Sequence, residues 1–210
     1  MVDMDGTLLD LAFDNFFWLD LVPRTYAHHH ALPEDQARAA LLKVYRDLEG
    51  TLAWYCIDHW TDRLGLDLRS LKREHGHLIC YLPRAPEFLA AVRASGKRLL
   101  LVTNAHRAVL AVKVERTGLD REVDAMISSH DFDAPKESPE FWQRFQAHEA
   151  FDPARTLLIE DSLAVLAAAK AFGLRHTFAI RRPDSRQPAR EIADFPSVDG
   201  IHALAPSESD

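Results

Sequence analysis

The chain has no excess of positive charge: 25 lysines and arginines stand against 32 aspartates and glutamates in 210 residues, a formal net charge of −7. It therefore lacks the electrostatic footprint that a phosphate backbone requires, and no nucleic acid polymer is expected as a partner. Cysteine is scarce as well. Only Cys56 and Cys80 occur, with no CxxC pair, which argues against a secreted disulfide scaffold and suits reduced thiols in a cytosolic chain. No apolar run approaches the roughly 18 residues that cross a bilayer, and no basic segment followed by an apolar stretch opens the chain. Neither a membrane span nor export is expected, and the cytoplasm is the expected location. Internal repeats are absent too.

What is present is the composition of an ordinary globular protein, 47% hydrophobic and 27% charged. The length suits one domain with an insertion, or one large and one small domain. Area scaling implies that folding buries roughly 70% of the extended chain's surface, enough for a core without covalent staples.

From Pro86 to Ile180 short apolar runs alternate with helix punctuation, the pattern of parallel strands joined by crossover helices. Pro86 opens a helix that ends near Ser95, with Gly96 as its left-handed terminus. Leu99 to Val102 reads as a strand covered on both faces, ending at Thr103-Asn104. A helix from about Ala105 to Thr117 stops at Gly118, a short strand spans Ala125 to Ser128, and Ser138-Pro139 caps and opens the next helix. Thr156 to Ile159 is another buried strand, ending at Glu160-Asp161; Ser162 opens an Ala-rich helix closed by Gly173, and a last strand lies near Thr177 to Ile180. Polar side chains thus recur just past strand C-termini, where open α/β sheets place their ligand crevice.

Between Leu11 and Leu82 the pattern is helical only, with segments from Phe13, after Pro33, from Leu52 through Leu64, and near Leu68. The expected organisation is an α/β core of residues 1–10 and 83–204, a helical insert of residues 11–82, and a frayed tail of residues 205–210.

Asp3-Met4-Asp5-Gly6-Thr7 places two carboxylates at i and i+2 beyond a strand, with a glycine that lets them converge through a turn. One can attack while the other shuttles a proton. Thr103-Asn104 offers a hydroxyl and amides at one strand end, Lys136 a cation, and Glu160-Asp161 two more carboxylates at another strand end. Taken singly these are a turn, a solvated lysine and a helix cap. Their order and topological placement together point to one site.

With these four stretches the sequence resembles the haloacid dehalogenase-like hydrolases, whose signatures correspond to DMDGT at Asp3, LLLVTNA ending at Thr103-Asn104, Lys136, and LIEDS at Glu160-Asp161. The resemblance implies a Rossmann-like parallel-sheet core with an all-helical cap inserted between the first and second signatures. It implies Asp3 as nucleophile, Asp5 as general acid/base, and phosphate held at Thr103, Asn104 and Lys136. Mg²⁺ would be ligated by Asp3, Asp161 and the Asp5 backbone carbonyl, with Glu160 a direct ligand or just outside the ligand set. The chemistry is coherent: a carboxylate attacking a phosphate dianion meets charge repulsion that Mg²⁺ and Lys136 offset. By the same resemblance, dehalogenating members lack an acid at the Asp5 position, so its presence favours phosphoryl transfer.

Further stretches, including DMDGTLLDLAFDN, TLAWYCIDHW, TNAH, LAVK, TGLD, PKE and FGLR, resemble the GMP/IMP nucleotidases of that superfamily over almost the whole chain. This implies hydrolysis of purine nucleoside 5′-monophosphates, small phosphate monoesters, to nucleoside and phosphate; a monomer or weak dimer is expected. Asn15, Phe17, Trp54, Tyr55 and Asp58 are the candidate specificity residues of the cap, although aromatic residues there equally suit its own small core. Alternative readings are a sugar-phosphate or phosphoglycolate phosphatase or phosphomutase with the same machinery, and a non-catalytic nucleotide-binding protein. His28-His29-His30 reads as solvated histidines in a loop rather than a metal site, and Arg181, Arg182 and Arg186 as a solvent-facing cluster.

One departure stands out. Only Met1 and Val2 precede Asp3, whereas the family resemblance implies a full apolar strand there. Either upstream residues are missing from the sequence, or two residues and the neighbouring strands support the loop. Losing most of a central strand removes ladder hydrogen bonds and buried apolar contacts. A form extended upstream by a full strand is predicted to melt higher than this chain; equal melting temperatures in a thermal unfolding scan would refute it.

Overall fold

A computed structural model describes residues 1–206, with residues 207–210 outside the described part. The insert begins with α1 (Ala12–Phe16), which runs through a π-helical stretch, Phe17–Leu21, into α2 (Val22–His29). Pro23 in the first turn of α2 has no N–H to offer the carbonyl of Leu19, one turn back. The guanidinium of Arg38 takes that carbonyl instead. Arg38 lies on α3 (Glu34–Leu48), so the substitute bond also fixes how α3 packs on the preceding helices. The expected single helix from Leu52 to Leu64 is two, α4 (Leu52–Tyr55) and α5 (Ile57–Leu64), because Cys56 is extended (φ −88°, ψ 106°) and its Sγ accepts from the His59 N–H to cap the second. α6 (Leu68–Glu74) completes the insert, capped by Asp67. His28 and His29 lie on the exposed end of α2, so the interhelical loop starts one or two residues later than expected.

In the core, α7 (Ala85–Ala94) leads to β1 (Leu100–Thr103), α8 (Arg107–Thr117) to β2 (Ala125–Ser128), and α9 (Pro139–His148) to β3 (Leu157–Glu160). α10 (Leu163–Phe172) leads to β4 (His176–Ile180), and a two-residue strand, β5 (Ser197–Val198), follows that periodicity did not reveal. Gly96, Gly118 and Gly173 take left-handed φ at the helix ends, as their positions implied.

β1 pairs with β2, and β3 with β4 and β4 with β5, all in parallel. Val2 bridges both Leu101 and Ile159, so the order across the sheet is β2, β1, the Val2 segment, β3, β4, β5. The first residues therefore occupy the centre, where the strand order reverses and α/β sheets open a crevice. Short as it is, this segment makes ladder bonds on both sides: Val2 donates to Leu100 O (2.9 Å) and accepts from Val102 N–H (2.9 Å), and Asp3 donates to Ile159 O (3.0 Å). The buried α-amino group of Met1 donates to Leu157 O (2.8 Å), and burial pushes its pKa down to about 5.

Alternation along the strands divides the core. Leu101, Ile159 and Ile180 face one cluster, with Phe88, Leu89 and Leu110 of α7 and α8 and the apolar residues of the insert. Leu100, Val102, Leu158 and Ala179 face the other, with Phe141, Trp142, Val165 and Leu166 of α9 and α10. This is a three-layer α/β/α core carrying a helical cap. Of the tail expected to fray, Ala205 packs against the first cluster, and the remainder beyond Pro206 lies outside the described residues. No described helix is long and apolar enough to cross a membrane.

Candidate active site

Asp3 leaves the sheet at its centre, and the next residues fold back at once: Gly6 donates to Leu9 O (2.7 Å), and Leu8 and Leu9 donate to Met4 O (3.0 and 2.8 Å). This turn needs glycine. Gly6 sits at φ +81°, and a Cβ there would lie 2.8 Å from Cγ and Oδ2 of Asp161 and 2.9 Å from Cβ of Pro183. The backbone of the first loop is thereby pressed against the carboxylate at the end of β3.

Three strand ends meet on one ammonium. Lys136, buried in the loop after β2, donates from Nζ to Asp3 Oδ1 (2.5 Å), Glu160 Oε2 (2.7 Å) and the Val102 carbonyl (2.9 Å). Oxygens of Asp3, Glu160 and Asp161 also lie within 4.8 Å of one another. Burial, reinforced by Glu160, pushes Asp3 up to about 8 against the pull of Lys136. Burial pushes Glu160 up to about 7, and burial with the charge of Asp3 does the same to Asp161. For Lys136 burial acts downward, but Asp3 and Glu160 outweigh it and hold the ammonium well above its usual range. Three desolvated carboxylates against one cation leave surplus negative charge on hard oxygen donors, the donor set that suits a small divalent ion such as Mg²⁺.

A family model for haloacid dehalogenase-like hydrolases matches residues 1–173. The chain belongs to this family. It is 41% identical over 207 residues, 99% of this chain and 93% of the relative, to the GMP/IMP nucleotidase YrfG of Escherichia coli strain K12. It is 29% identical over 181 residues, 83% of this chain and 77% of the relative, to a plasmid-borne phosphoglycolate phosphatase of Cupriavidus necator. Among solved structures, a phosphatase of the same family from Thermococcus onnurineus superposes with a TM-score of 0.80 at 22% identity, over 97% of this chain and 94% of that one. The protein is thus a hydrolase of phosphoric monoesters with the α/β fold and helical cap of its family.

In this haloacid dehalogenase-like hydrolase the core residues singled out from sequence fall into three groups. Asp3, Lys136, Glu160 and Asp161 converge as described. Asp5 stands beside them but turns its carboxylate toward Lys113 and not Lys136. Thr103 and Asn104 are buried at the end of β1 with their side chains engaged: Thr103 Oγ1 accepts from Ala105 N–H (3.0 Å), while Asn104 accepts from Lys136 N–H (2.9 Å) and donates to Glu137 Oε2 (2.9 Å). Asn104 thus braces the lysine loop.

The cap residues scatter. Phe17 is wholly buried, edge-on to Trp18 and 4.3 Å beneath Lys72 Nζ, and Trp54 packs on Tyr45 and Trp60. Both pack into the apolar cluster of the insert, Phe17 with no exposed surface. Asn15 donates to Asp184 Oδ2 (2.8 Å) and ties α1 to the loop after β4. Asp58 forms a two-pronged pair with Arg69 (2.7 and 2.5 Å) on the cap surface. Tyr55 donates to Glu137 Oε1 (2.5 Å), next to Lys136.

Glu137, Arg190 and Lys113 escaped the sequence reading. Glu137 follows Lys136 directly, and nothing in the spacing distinguishes it from a surface acid. Arg190, far along an irregular loop, donates to the backbone carbonyl of Asp161 (2.7 Å). Lys113 lies inside a helix whose apolar and polar positions show little segregation, so its burial left no periodic trace. Potential ligand atoms of Cys56, His106 and His130 also lie within 4.8 Å of one another. His106 Nδ1, however, accepts from Ala108 N–H (3.2 Å) as a helix cap, which assigns the ring proton to Nε2, facing Asp58 at 3.7 Å. That ring holds no free lone pair for a metal.

Gly6→Ala is expected to cost about 2 kcal/mol of stability through the left-handed backbone and the clash with Asp161, and to abolish most activity by displacing that carboxylate. Gly50→Ala, also at positive φ but with nothing within 4 Å of its Cβ, is expected to lose only about 1 kcal/mol and no activity. Chemical denaturation and phosphate release on the two variants check the contrast.

Proposed function

We propose that this hydrolase is a Mg²⁺-dependent phosphatase that converts purine nucleoside 5′-monophosphates, GMP and IMP, to nucleoside and phosphate through an aspartyl-phosphate on Asp3. The chemical part rests on the network in which Lys136 binds Asp3 Oδ1 and Glu160 Oε2 in a buried setting. The substrate class rests on the likeness to the nucleotidase over 99% of the chain.

The side chains of Asp3 and Asp161 and the backbone carbonyl of Asp5 would hold the metal, with Glu160 a ligand or just outside the set. Bound there, the ion neutralises the repulsion between a carboxylate and a phosphate dianion. Lys136 and Thr103 hold phosphoryl oxygens, and the fixed ammonium offsets charge without having to reorganise. A carboxylate oxygen of Asp3 attacks phosphorus, the bond from phosphorus to the ribose 5′-oxygen breaks, and Asp5 gives its proton to that departing oxygen. Asp5 then takes a proton from water as the water oxygen attacks the same phosphorus; phosphate leaves and the Asp3 carboxylate is restored. The helical insert, residues 11–82, covers the site. Its limits follow the two crossing connections, where Asp10 donates to Cys80 O (2.9 Å) and Leu82 to Leu8 O (2.8 Å). The likeness to the phosphoglycolate phosphatase supports a second reading, with the same chemistry on a smaller monoester.

A panel scored by released phosphate separates these readings. GMP and IMP are expected to give the highest kcat/KM, above phosphoglycolate and hexose phosphates; a preference for phosphoglycolate would transfer the assignment to the second reading. Asp3→Asn is expected to lose at least ~10³-fold in kcat, and chelation to abolish turnover until Mg²⁺ is restored. Turnover that survives Asp3→Asn would overturn the mechanism.

A further inference from the structure

Two lysines outside the family signatures are buried at the seam between cap and core, Lys72 on α6 and Lys113 on α8, with side chains only 2% and 1% exposed. A buried ammonium is tolerated only where partners compensate for lost water. For Lys113 those partners are Asp5 Oδ1 and Asp14 Oδ2 (2.5 Å). Lys72 donates to the other oxygen of the same carboxylate, Asp14 Oδ1 (2.7 Å), with its Nζ over the rings of Phe17 and Phe13. The four groups form an unbroken line, Lys72–Asp14–Lys113–Asp5, two cations alternating with two anions. It starts on a cap helix, passes through α1 where the chain enters the cap, crosses to core helix α8, and ends on the carboxylate two residues past Asp3. The Asp5 carboxylate has no other hydrogen-bond partner among the described residues, so Lys113 determines which way it points. Held by two ammonium groups that outweigh burial, the Asp14 carboxyl lies well below the usual range and remains an anion that anchors Lys113.

We propose that Lys113 is a positioning residue for Asp5, and that Asp14 and Lys72 hold Lys113 in place, so that the seating of the cap on the core sets the orientation of the acid that protonates the leaving group. The inference rests on the assignment of Asp5 as general acid/base. Aim matters most where the leaving oxygen needs a proton. A ribose alkoxide is a poor leaving group without one, whereas p-nitrophenolate departs almost unaided.

The test compares kcat/KM, which reports the first irreversible phosphoryl transfer, for GMP and for p-nitrophenyl phosphate. Lys113→Met is expected to lose ~100-fold on GMP and under ~10-fold on p-nitrophenyl phosphate, the range general acid catalysis spans. Lys113→Arg is expected to restore most of the GMP activity, and the inhibition constant of inorganic phosphate should stay within about twofold because the phosphate site is untouched. Asp5→Asn combined with Lys113→Met should be no worse than Asp5→Asn alone, since one residue acts through the other. Equal losses on the two substrates, or a double variant worse than Asp5→Asn, would overturn the proposal. An Asp5→Asn variant that loses both substrates equally would instead overturn the underlying assignment. Should Lys113→Met not fold, Lys72→Met, one link further away, is expected to show the same substrate contrast at smaller size, and its loss of that contrast counts against the line.

Discussion

A lysine ammonium survives in a dry interior only where acceptors surround it, and Lys136 finds Asp3, Glu160 and the Val102 carbonyl. Each comes from a different strand end, so the requirement is architectural as well as chemical. The Val2 segment must lie between β1 and β3, and the loop after β2 must fold back over β1 to deliver the ammonium. Asn104 secures that return by accepting from the Lys136 N–H, and Trp142 adds to it by donating from Nε1 to the Lys136 carbonyl (2.8 Å). The same ammonium keeps the crowded carboxylates from repelling one another apart, while leaving them enough surplus charge to attract a cation.

What was legible in the sequence follows from which features are local. Gly96, Gly118 and Gly173 end helices by a backbone property of their own, and Ser138 and Ser162 cap helices with bonds to residues three places along, so those boundaries fell within a residue or two. The carboxylate pair at Asp3 and Asp5, and the acids closing β3, were legible because strand ends are recognisable and converge in any open parallel sheet. Glu137, Arg190 and Lys113 were not. Their roles depend on partners 33, 29 and 108 residues distant, and no local pattern encodes such a meeting. The break at Cys56 was missed for a related reason: no glycine or proline marks it, only a thiol that caps the following helix.

The aromatic residues of the cap pack largely against one another. Trp18, Tyr45, Trp54 and Trp60 meet edge-on or tilted at centroid separations of 5.0 to 6.0 Å, the geometry favoured when rings pack against one another. Trp60 spends its N–H on the Trp54 carbonyl (2.8 Å). A helical insert of this size needs such rings to hold itself together, because short helices have little stability alone. Apolar insert residues share the cluster of Leu101, Ile159 and Ile180, and polar residues add directed bonds across to the core: Tyr55 to Glu137, Asn15 to Asp184, Lys72 and Asp14 to Lys113.

The two kinds of contact between insert and core differ mechanically. The apolar cluster that insert and core share is held by an area-dependent, undirected attraction and separates only at the expense of the apolar surface exposed. Directed polar contacts behave differently, since water replaces each of them as the faces part and the net loss per bond is small. The Tyr55–Glu137 and Asn15–Asp184 bonds are only partly buried, so water reaches them readily. Lys72 and Lys113 are the exception, because opening the seam there must hydrate ammonium groups that now have almost no exposure. Separating insert from core is therefore most costly at the shared apolar cluster and at the Lys72–Asp14–Lys113 line, and least costly at the two partly buried bonds.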